Sequence, residues 1–291
     1  MNIKESIAKK AFALSGILTV LVTVGIIWVL FSESVGFFKV VSIVDFLTDT
    51  QWTPLFTQKH FGILPLLAGT FLTSLIAILV AIPVGLTIAI YISEYAPNRY
   101  RTTIKPLLEV LAAVPTVVYG YFALTVVTPF LQTFIPGLGG FNALSAGLVM
   151  GIMIIPMISS LSEDALYAIP KSLREAAYGM GSTRLQTSMK VTIPSASSGI
   201  IVSIILAIGR AIGETMIVAV AAGQQPILTF DPRDSVETIT AYIVQVSLGD
   251  VPHGSIEYKT IFAAGITLFI LTFILNTISF WIRKKYQEKY D

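Results

Sequence analysis

Six long apolar runs divide this chain, and polar segments rich in turn-forming residues separate them. Each run has about 20 residues or more, which is enough for a helix to cross the ~30 Å hydrocarbon core of a bilayer. The apolar residues are continuous and do not alternate with polar ones, so the runs predict helices, not strands. The pattern therefore predicts an all-α integral membrane protein with six transmembrane helices, at residues 11–31, 65–92, 107–131, 143–162, 199–222 and 261–282.

Two segments between the runs are too mixed to span and too long to be simple turns, namely 32–64 and 223–260. The first run begins like a signal peptide, but its apolar part is longer than the ~7–15 residues of a cleaved signal. We expect residues 1–64 to form a retained signal anchor with an outer segment, and 65–291 to form the transmembrane core. Three prolines inside the runs predict helix kinks, namely Pro83, Pro115 and Pro156.

The amino-acid composition limits the kinds of function and site that this chain can have. Hydrophobic residues make up 54% of the chain and charged residues only 12%, about half the charged fraction of soluble domains. The net charge of +2 gives no support to nucleic-acid binding. There is no cysteine, and both histidines, His60 and His253, lie outside the apolar runs. We therefore expect no metal site and no histidine-based catalysis within the bilayer.

Lysine and arginine are distributed unevenly between the two sides. Most of them fall in residues 1–10, 93–106, 163–198 and 283–291, which alternate spans place on one side. The opposite side carries only Lys39, Lys59, Arg233 and Lys259. Because cytoplasmic loops carry the excess of positive residues, both termini are predicted to be cytoplasmic.

The fifth run contains two charged residues, Arg210 and Glu214, within the sequence GRAIGETMIVAVAAG at 209–223. In a continuous helix, residues four apart share a face, so these side chains are expected to pair and to face other helices or a water-filled pathway. Gly209 and Gly213 are also four apart, which predicts close helix packing. A guanidinium is permanently charged and matches the geometry of an oxyanion, phosphate in particular. A purely structural ion pair is the alternative reading.

The largest inner loop, 163–198, predicts two short helices around a glycine elbow. Ser172 and Glu175 have the spacing of a capping box, as do Thr183 and Gln186. Gly179 or Gly181 can end the first helix in a left-handed conformation. The loop has a small and mildly basic face that suits docking on another protein. A structured connector without a partner is the alternative.

The same loop resembles the EAA loop of membrane subunits of ATP-binding-cassette (ABC) importers. That pattern is EAA, three residues, Gly, nine residues and I-x-L-P. The positions that match it in register are Glu175, Ala176, Ala177, Gly181, Val191, Ile193 and Pro194, with Val and Ile replacing Ile and Leu. The resemblance implies a type I importer fold of the MetI-like class, in which this loop forms a coupling helix that docks on the cytoplasmic ATPase.

Several stretches are similar to PstC-type permease subunits of phosphate importers. They are YISEYAP (91–97), VLAAVPTVVYGYFAL (110–124), SEDAL (162–166) and the GRAIGET run. The resemblance implies a permease that moves inorganic phosphate across the cytoplasmic membrane along a pathway containing Arg210 and Glu214. It implies three kinds of partner: a PstA-type second permease subunit, a PstB-type ATPase dimer and a PstS-type extracytoplasmic phosphate-binding protein.

The chain itself is not expected to be an enzyme. It has no G-x-x-x-x-G-K-[ST] sequence, so ATP would be bound and used by the partner ATPase, and no cofactor is expected here. Three alternatives stay open: the sister PstA-type subunit, a permease for another oxyanion such as molybdate or sulfate, and an intramembrane enzyme or sensor. The last would normally place a nucleophile or metal ligands beside Arg210 and Glu214, and only Thr215 is adjacent.

Overall fold

The computed structural model describes residues 3–286. Lys289, which contributes to the predicted orientation, lies outside the described residues, as do the side chains of Lys4, Arg283 and Lys285. Within 3–286 the helices are α1 (Ile3–Phe38), α2 (Ile43–Thr48), α3 (Leu64–Ile90), α4 (Asn98–Ala113), α5 (Thr116–Phe122), α6 (Thr128–Gln132), α7 (Ala143–Tyr167), α8 (Lys171–Gly179), α9 (Arg184–Thr187), α10 (Ile193–Ser195), α11 (Ser197–Ile212), α12 (Met216–Ala221), α13 (Ile239–Leu248) and α14 (Ile256–Tyr286). Single π-helical turns at Tyr91–Tyr95, Ala123–Val127 and Ser188–Thr192 continue α3, α5 and α9.

The helical membrane architecture predicted from the sequence is confirmed. Four helices are long and apolar enough to cross a membrane, namely α1, α3, α7 and α14. Two bent helix pairs raise the number to six if each pair is one span. One pair joins α4 to α5 and α6 at 84°, and the other joins the α9–α10 segment to α11 at 70°.

The third span differs from its prediction. The run 107–131 was expected to be one helix with a kink at Pro115, but the chain turns by 84° at Val114 and Pro115. Proline disfavours a helical conformation in the residue before it, and Val114 is accordingly extended. As a result α4 runs at a steep angle to the span that follows it. Pro83 and Pro156 lie inside uninterrupted helices.

Helix α7 is the central helix of the fold and packs closely against α3. A Cβ atom added to Gly147 would lie 2.7 Å from Ile76 Cβ, and one added to Gly151 would lie 2.9 Å from the Ala77 carbonyl oxygen. On α3, a Cβ atom added to Gly85 would lie 2.8 Å from Ile158 Cγ2. These glycines therefore permit the close approach typical of membrane helices.

The outer segments fold onto the outer ends of the helices. Phe37, Phe46, Trp52 and Tyr242 are buried in one aromatic cluster, and the Trp52 and Tyr242 rings meet edge to face at 5.0 Å. Helix α13 packs here against α14. The segment 223–260, expected to be too mixed to span, thus contributes a short and partly buried helix to the core.

A buried acid lies at the start of α13. Glu237 is 1% exposed, and its Oε1 atom has no hydrogen-bond partner among the described residues. Burial removes water from the carboxyl group, disfavours its charged form and raises its pKa to about 8.

The glycine contact can be tested by adding a methyl group. We expect Gly151→Ala to destabilise the protein by about 1–3 kcal/mol, because the methyl group would overlap the backbone of α3. Gly209→Ala is the matched control, since no atom of the described residues lies within 4 Å of a Cβ there. The measurement is the thermal unfolding of the purified protein in detergent. Equal stability of the two variants would contradict close packing at Gly151.

The burial of Glu237 predicts a pH dependence of stability. Its pKa is higher in the folded than in the unfolded chain, so the folded state holds a proton that the unfolded state releases above about pH 4.5. The free energy of unfolding should fall by on the order of 3 kcal/mol between pH 5 and pH 8 through this group. Glu237→Gln should remove that part of the pH dependence in thermal unfolding, and an unchanged pH profile would contradict it.

Candidate functional site

The fifth span breaks within the GRAIGET sequence. Helix α11 ends at Ile212, Gly213 caps it, and α12 begins only at Met216. Arg210 therefore lies in the last turn of one helix, whereas Glu214 lies in the connection to the next. The prediction that the two side chains pair on one continuous helix face is wrong, because the helix does not continue between them.

Glu214 is engaged by the backbone of the second helix. It is 7% exposed, and its Oε1 accepts hydrogen bonds from the amides of Met216 at 3.1 Å and Ile217 at 3.3 Å. These amides belong to the first turn of α12 and have no partner within the helix. The Glu214 carbonyl oxygen also accepts a 2.6 Å hydrogen bond from the Thr240 hydroxyl of α13. Glu214 thus fixes the start of α12 and ties it to α13.

Arg210 has no acidic partner among the described residues, since no carboxylate oxygen there lies within 4 Å of its guanidinium. Its Nη2 atom lies 3.3 Å from the Met153 sulfur, which is a weak acceptor, and the side chain is exposed on this chain. The predicted close packing at Gly209 is also absent within the described part of the chain. The guanidinium therefore keeps most of its donors free.

Arg210 and Glu214 nevertheless line the same open cavity, of about 550 Å³. Its other lining residues are Ala112 of α4, Met153 and Met157 of α7, and Gly213. Three spans therefore meet at the cavity, of which the sequence identified only the fifth. A fixed positive charge beside flexible, polarisable methionines can attract an anion without enclosing it tightly.

The first helix of the loop 163–198, α8, starts differently from its prediction. The expected capping box of Ser172 and Glu175 does not form, because the helix begins one residue earlier, at Lys171, after Pro170. Ser172 is therefore already inside the first turn. Glu175 and Ala176 are exposed on α8, and Ala177 is half-buried.

The end of α8 and the start of α9 follow the prediction. Gly181 has φ +82°, its amide donates to the Tyr178 carbonyl, and the Ser182 amide donates to the Ala177 carbonyl. This is the hydrogen-bond pattern of a Schellman motif. The capping box of Thr183 and Gln186 forms with both of its hydrogen bonds.

The loop also presents an apolar surface that the sequence reading missed. From α8 onward its exposed large side chains are Tyr178, Met180, Leu185 and Met189, of which Met180 is 88% exposed. Of the motif residues, Ile193 packs on the core near Ala196 and Ile200, Val191 is half-buried and Pro194 is exposed. Several exposed apolar side chains on one loop are typical of a protein contact surface.

A buried ion pair anchors α8 to the membrane helices. Arg174 donates through Nε and Nη2 to Glu94 Oε1, at 3.2 and 2.9 Å. It also donates to the carbonyls of Ile169 and Leu166 at the end of α7, both at 2.8 Å. Glu94 belongs to the π-helical turn that ends α3. Arg174 directly precedes the EAA sequence, but its partner lies 80 residues earlier, so local spacing gave no signal for the pair.

A second ionic cluster joins α4 to α7. Glu163 is 1% exposed and contacts Arg101 at 2.8 Å and Lys105 at 2.9 Å, while Asp164 contacts Lys105 at 2.7 Å. Glu163 is therefore engaged within this chain and is not a solvated surface residue. The contacts bring the segments 93–106 and 163–198 to one end of the molecule, as the predicted topology requires.

Comparison with known proteins places this architecture in a family. Residues 81–289 match the family described as binding-protein-dependent transport system inner membrane component. The probable ABC transporter permease protein YqgH of Bacillus subtilis is 36% identical over 234 residues, which cover 80% of this chain and 75% of that protein. The phosphate transport system permease protein PstC of Mesorhizobium japonicum is 36% identical over 254 residues, or 81% of this chain and 76% of the relative.

Solved structures show the same fold at lower sequence identity. A bacterial ABC transporter involved in alginate import aligns with a TM-score of 0.60 at 19% identity, over 97% of this chain and 99% of that one. The MetNI methionine ABC transporter aligns with a TM-score of 0.56 at 19% identity, over 77% and 94% of the two chains. The predicted MetI-like fold is confirmed.

The role of Arg174 as an anchor can be tested directly. Arg174→Ala leaves Glu94 buried without its partner, which should loosen α8, and we expect its amides to exchange with deuterium at least tenfold faster. Hydrogen–deuterium exchange with mass spectrometry measures this, with α7 as internal reference. Lys171→Ala, at an exposed position in the same helix, is the control. Unchanged exchange in Arg174→Ala would contradict the anchor.

Proposed function

This chain belongs to the family of binding-protein-dependent transport system inner membrane components, and we propose that it is a permease subunit of an ATP-driven importer of inorganic phosphate. The phosphate assignment is supported by the identity to PstC proteins and by the GRAIGET sequence. The observation that carries it is Arg210, a guanidinium without a carboxylate partner in the described chain, which lines an open cavity between three spans.

In this proposal Arg210 provides the attraction for the anion in the pathway. A planar guanidinium can donate two parallel hydrogen bonds to a phosphate. The remaining lining is mostly apolar, so the anion would be held at few points and could leave again, as transport requires. Glu214 lines the same cavity, and its negative charge, where present, would further limit how tightly the anion is held.

The proposed partners are a second permease subunit of PstA type, a dimer of PstB-type ATPase subunits and a PstS-type binding protein outside. The second permease would complete the pathway on the open side of the Arg210 cavity. The ATPase would bind the apolar surface of Tyr178, Met180, Leu185 and Met189 on the loop 163–198. In this scheme ATP hydrolysis takes place in the ATPase subunits and not in this chain.

Movement of the ATPase would reach the cavity through α11. The chain passes from α9 through α10 directly into α11, which runs as one helix from Ser197 to Ile212. At 1.5 Å per residue, Arg210 lies about 20 Å along this helix from its start. Closure of the ATPase dimer would open the pathway to the outside, and its release would reopen it to the inside.

The proposed orientation places both termini and the loop 163–198 in the cytoplasm, with the protein in the cytoplasmic membrane. It is supported by the excess of Lys and Arg in residues 1–10, 93–106, 163–198 and 283–291. The outer face would then consist of the segments 39–63 and 223–255, where the binding protein would dock.

The test is uptake of labelled phosphate by the assembled complex in vesicles supplied with ATP. We expect Arg210→Ala to abolish uptake and Arg210→Lys to reduce it more than tenfold, because an ammonium keeps the charge but loses the planar fork. Co-purification of the subunits checks assembly.

Arg99→Ala is the control, since it removes an arginine that is exposed at the start of α4, outside the outer segments. Normal uptake by Arg210→Ala would contradict the assigned role of Arg210. Uptake of molybdate or sulfate in place of phosphate by the wild-type complex would overturn the phosphate assignment.

A further inference from the structure

A second and smaller cavity, of about 150 Å³, is lined by residues of the outer segments 39–63 and 223–255. Trp52, Phe56 and Tyr242 contribute aromatic walls, and Glu237 lines it as its only charged residue. Three glutamines complete the polar lining, namely Gln224, Gln225 and Gln245. None of these residues lines the Arg210 cavity or belongs to the loop 163–198.

The residues that line the cavity favour a positively charged ligand. Glu237 lines the cavity and is almost wholly buried, and its Oε1 is unpartnered among the described residues, which leaves a strong acceptor without a donor. Aromatic faces attract cations, and the glutamine side chains add carbonyl acceptors. An anion would be repelled by the carboxylate of Glu237, the only charged residue of the lining, so it is disfavoured here.

The volume of the cavity and its few oxygen ligands limit the kind of cation that can bind there. A divalent metal such as Ca²⁺ takes six to eight oxygen ligands with several carboxylates, and the described residues contain no cluster of three His, Cys, Asp or Glu. The volume is about half of the ~300 Å³ at which small-molecule sites begin. A single ammonium-bearing side chain fits these limits better than a free metabolite or a metal.

The exposed apolar residues around the cavity indicate that this side chain belongs to another protein. Leu55 and Phe56 on one wall are exposed, and so are Ile227 and Phe230, which follow Pro226 of the lining. Exposed apolar residues around a charged pocket are the usual composition of a protein contact surface.

We propose that this cavity receives a lysine side chain of the extracytoplasmic binding protein, whose ammonium pairs with Glu237 when the two proteins dock. This inference rests on the proposed function, because that function supplies a binding protein at the outer face. The pair would form only in the docked complex and would fix the register of docking.

The docking experiment measures the affinity of the phosphate-loaded binding protein for the complete transporter in nanodiscs between pH 6 and pH 9. Burial raises the pKa of Glu237 to about 8. Since the ammonium pairs with the ionised carboxylate, affinity should rise about tenfold per pH unit up to pH 8 and level off above it. Glu237→Gln should bind at least tenfold more weakly at pH 8 and show no such rise.

Glu109→Gln, which neutralises an exposed carboxylate of α4 outside the outer segments, is the matched control and should behave as wild type. Glutamine has nearly the shape of a protonated glutamate, so Glu237→Gln should fold and assemble normally. Equal affinity and equal pH profiles for wild type and Glu237→Gln would overturn the proposal.

A second arm uses n-butylammonium as the probe and does not depend on the binding protein. At pH 9 and millimolar concentration it should raise the melting temperature of wild type and leave that of Glu237→Gln unchanged. Absence of this shift would overturn the cation pocket even if phosphate uptake is normal. A shift in a complex that takes up no phosphate would preserve the pocket while the proposed transport function fails.

Discussion

The geometry of the candidate pathway depends on one buried carboxyl group that serves two backbone amides. An interrupted transmembrane helix exposes unpaired amides, which are costly inside a membrane unless a side chain accepts from them. Glu214 accepts from the amides of Met216 and Ile217 and thereby stabilises the break after Gly213. Arg210 on the preceding turn has only the Met153 sulfur as a side-chain partner among the described residues and lines the cavity.

The rest of the fold holds this break in position. Helix α7 packs on α3 through glycines and brings Met153 and Met157 to the cavity wall. Two ionic clusters at the predicted cytoplasmic end, one around Arg174 and one around Glu163, tie the loop 163–198 and α4 to the ends of the spans. The loop 163–198 is therefore fixed to the membrane helices by its own ion pairs.

The sequence predicted the spans and several local turns of this structure, but not the contacts between distant residues. The length of the apolar runs predicted the spans. The spacing of nearby residues predicted the capping box at Thr183 and the left-handed turn at Gly181, because both depend on neighbouring residues alone. The predicted pairing of Arg210 with Glu214 is wrong because the spacing rule assumes a continuous helix. The sequence around Gly213 does not clearly mark the break between α11 and α12. The partners of Arg174 and Glu163 lie 58 to 80 residues away, so only the fold could identify them.

The measurement that tests this account most directly compares Glu214→Gln with Glu214→Ala in the thermal unfolding of the assembled complex. Glutamine keeps an oxygen that can accept from both amides, so its cost should be below about 1 kcal/mol, whereas alanine removes the acceptor and should cost about 2 kcal/mol or more. If Glu214 instead acted as the counter-ion of Arg210, glutamine and alanine would destabilise the complex equally, because both remove the negative charge. Equal destabilisation by glutamine and alanine would then contradict the capping role on which the structure of the pathway depends.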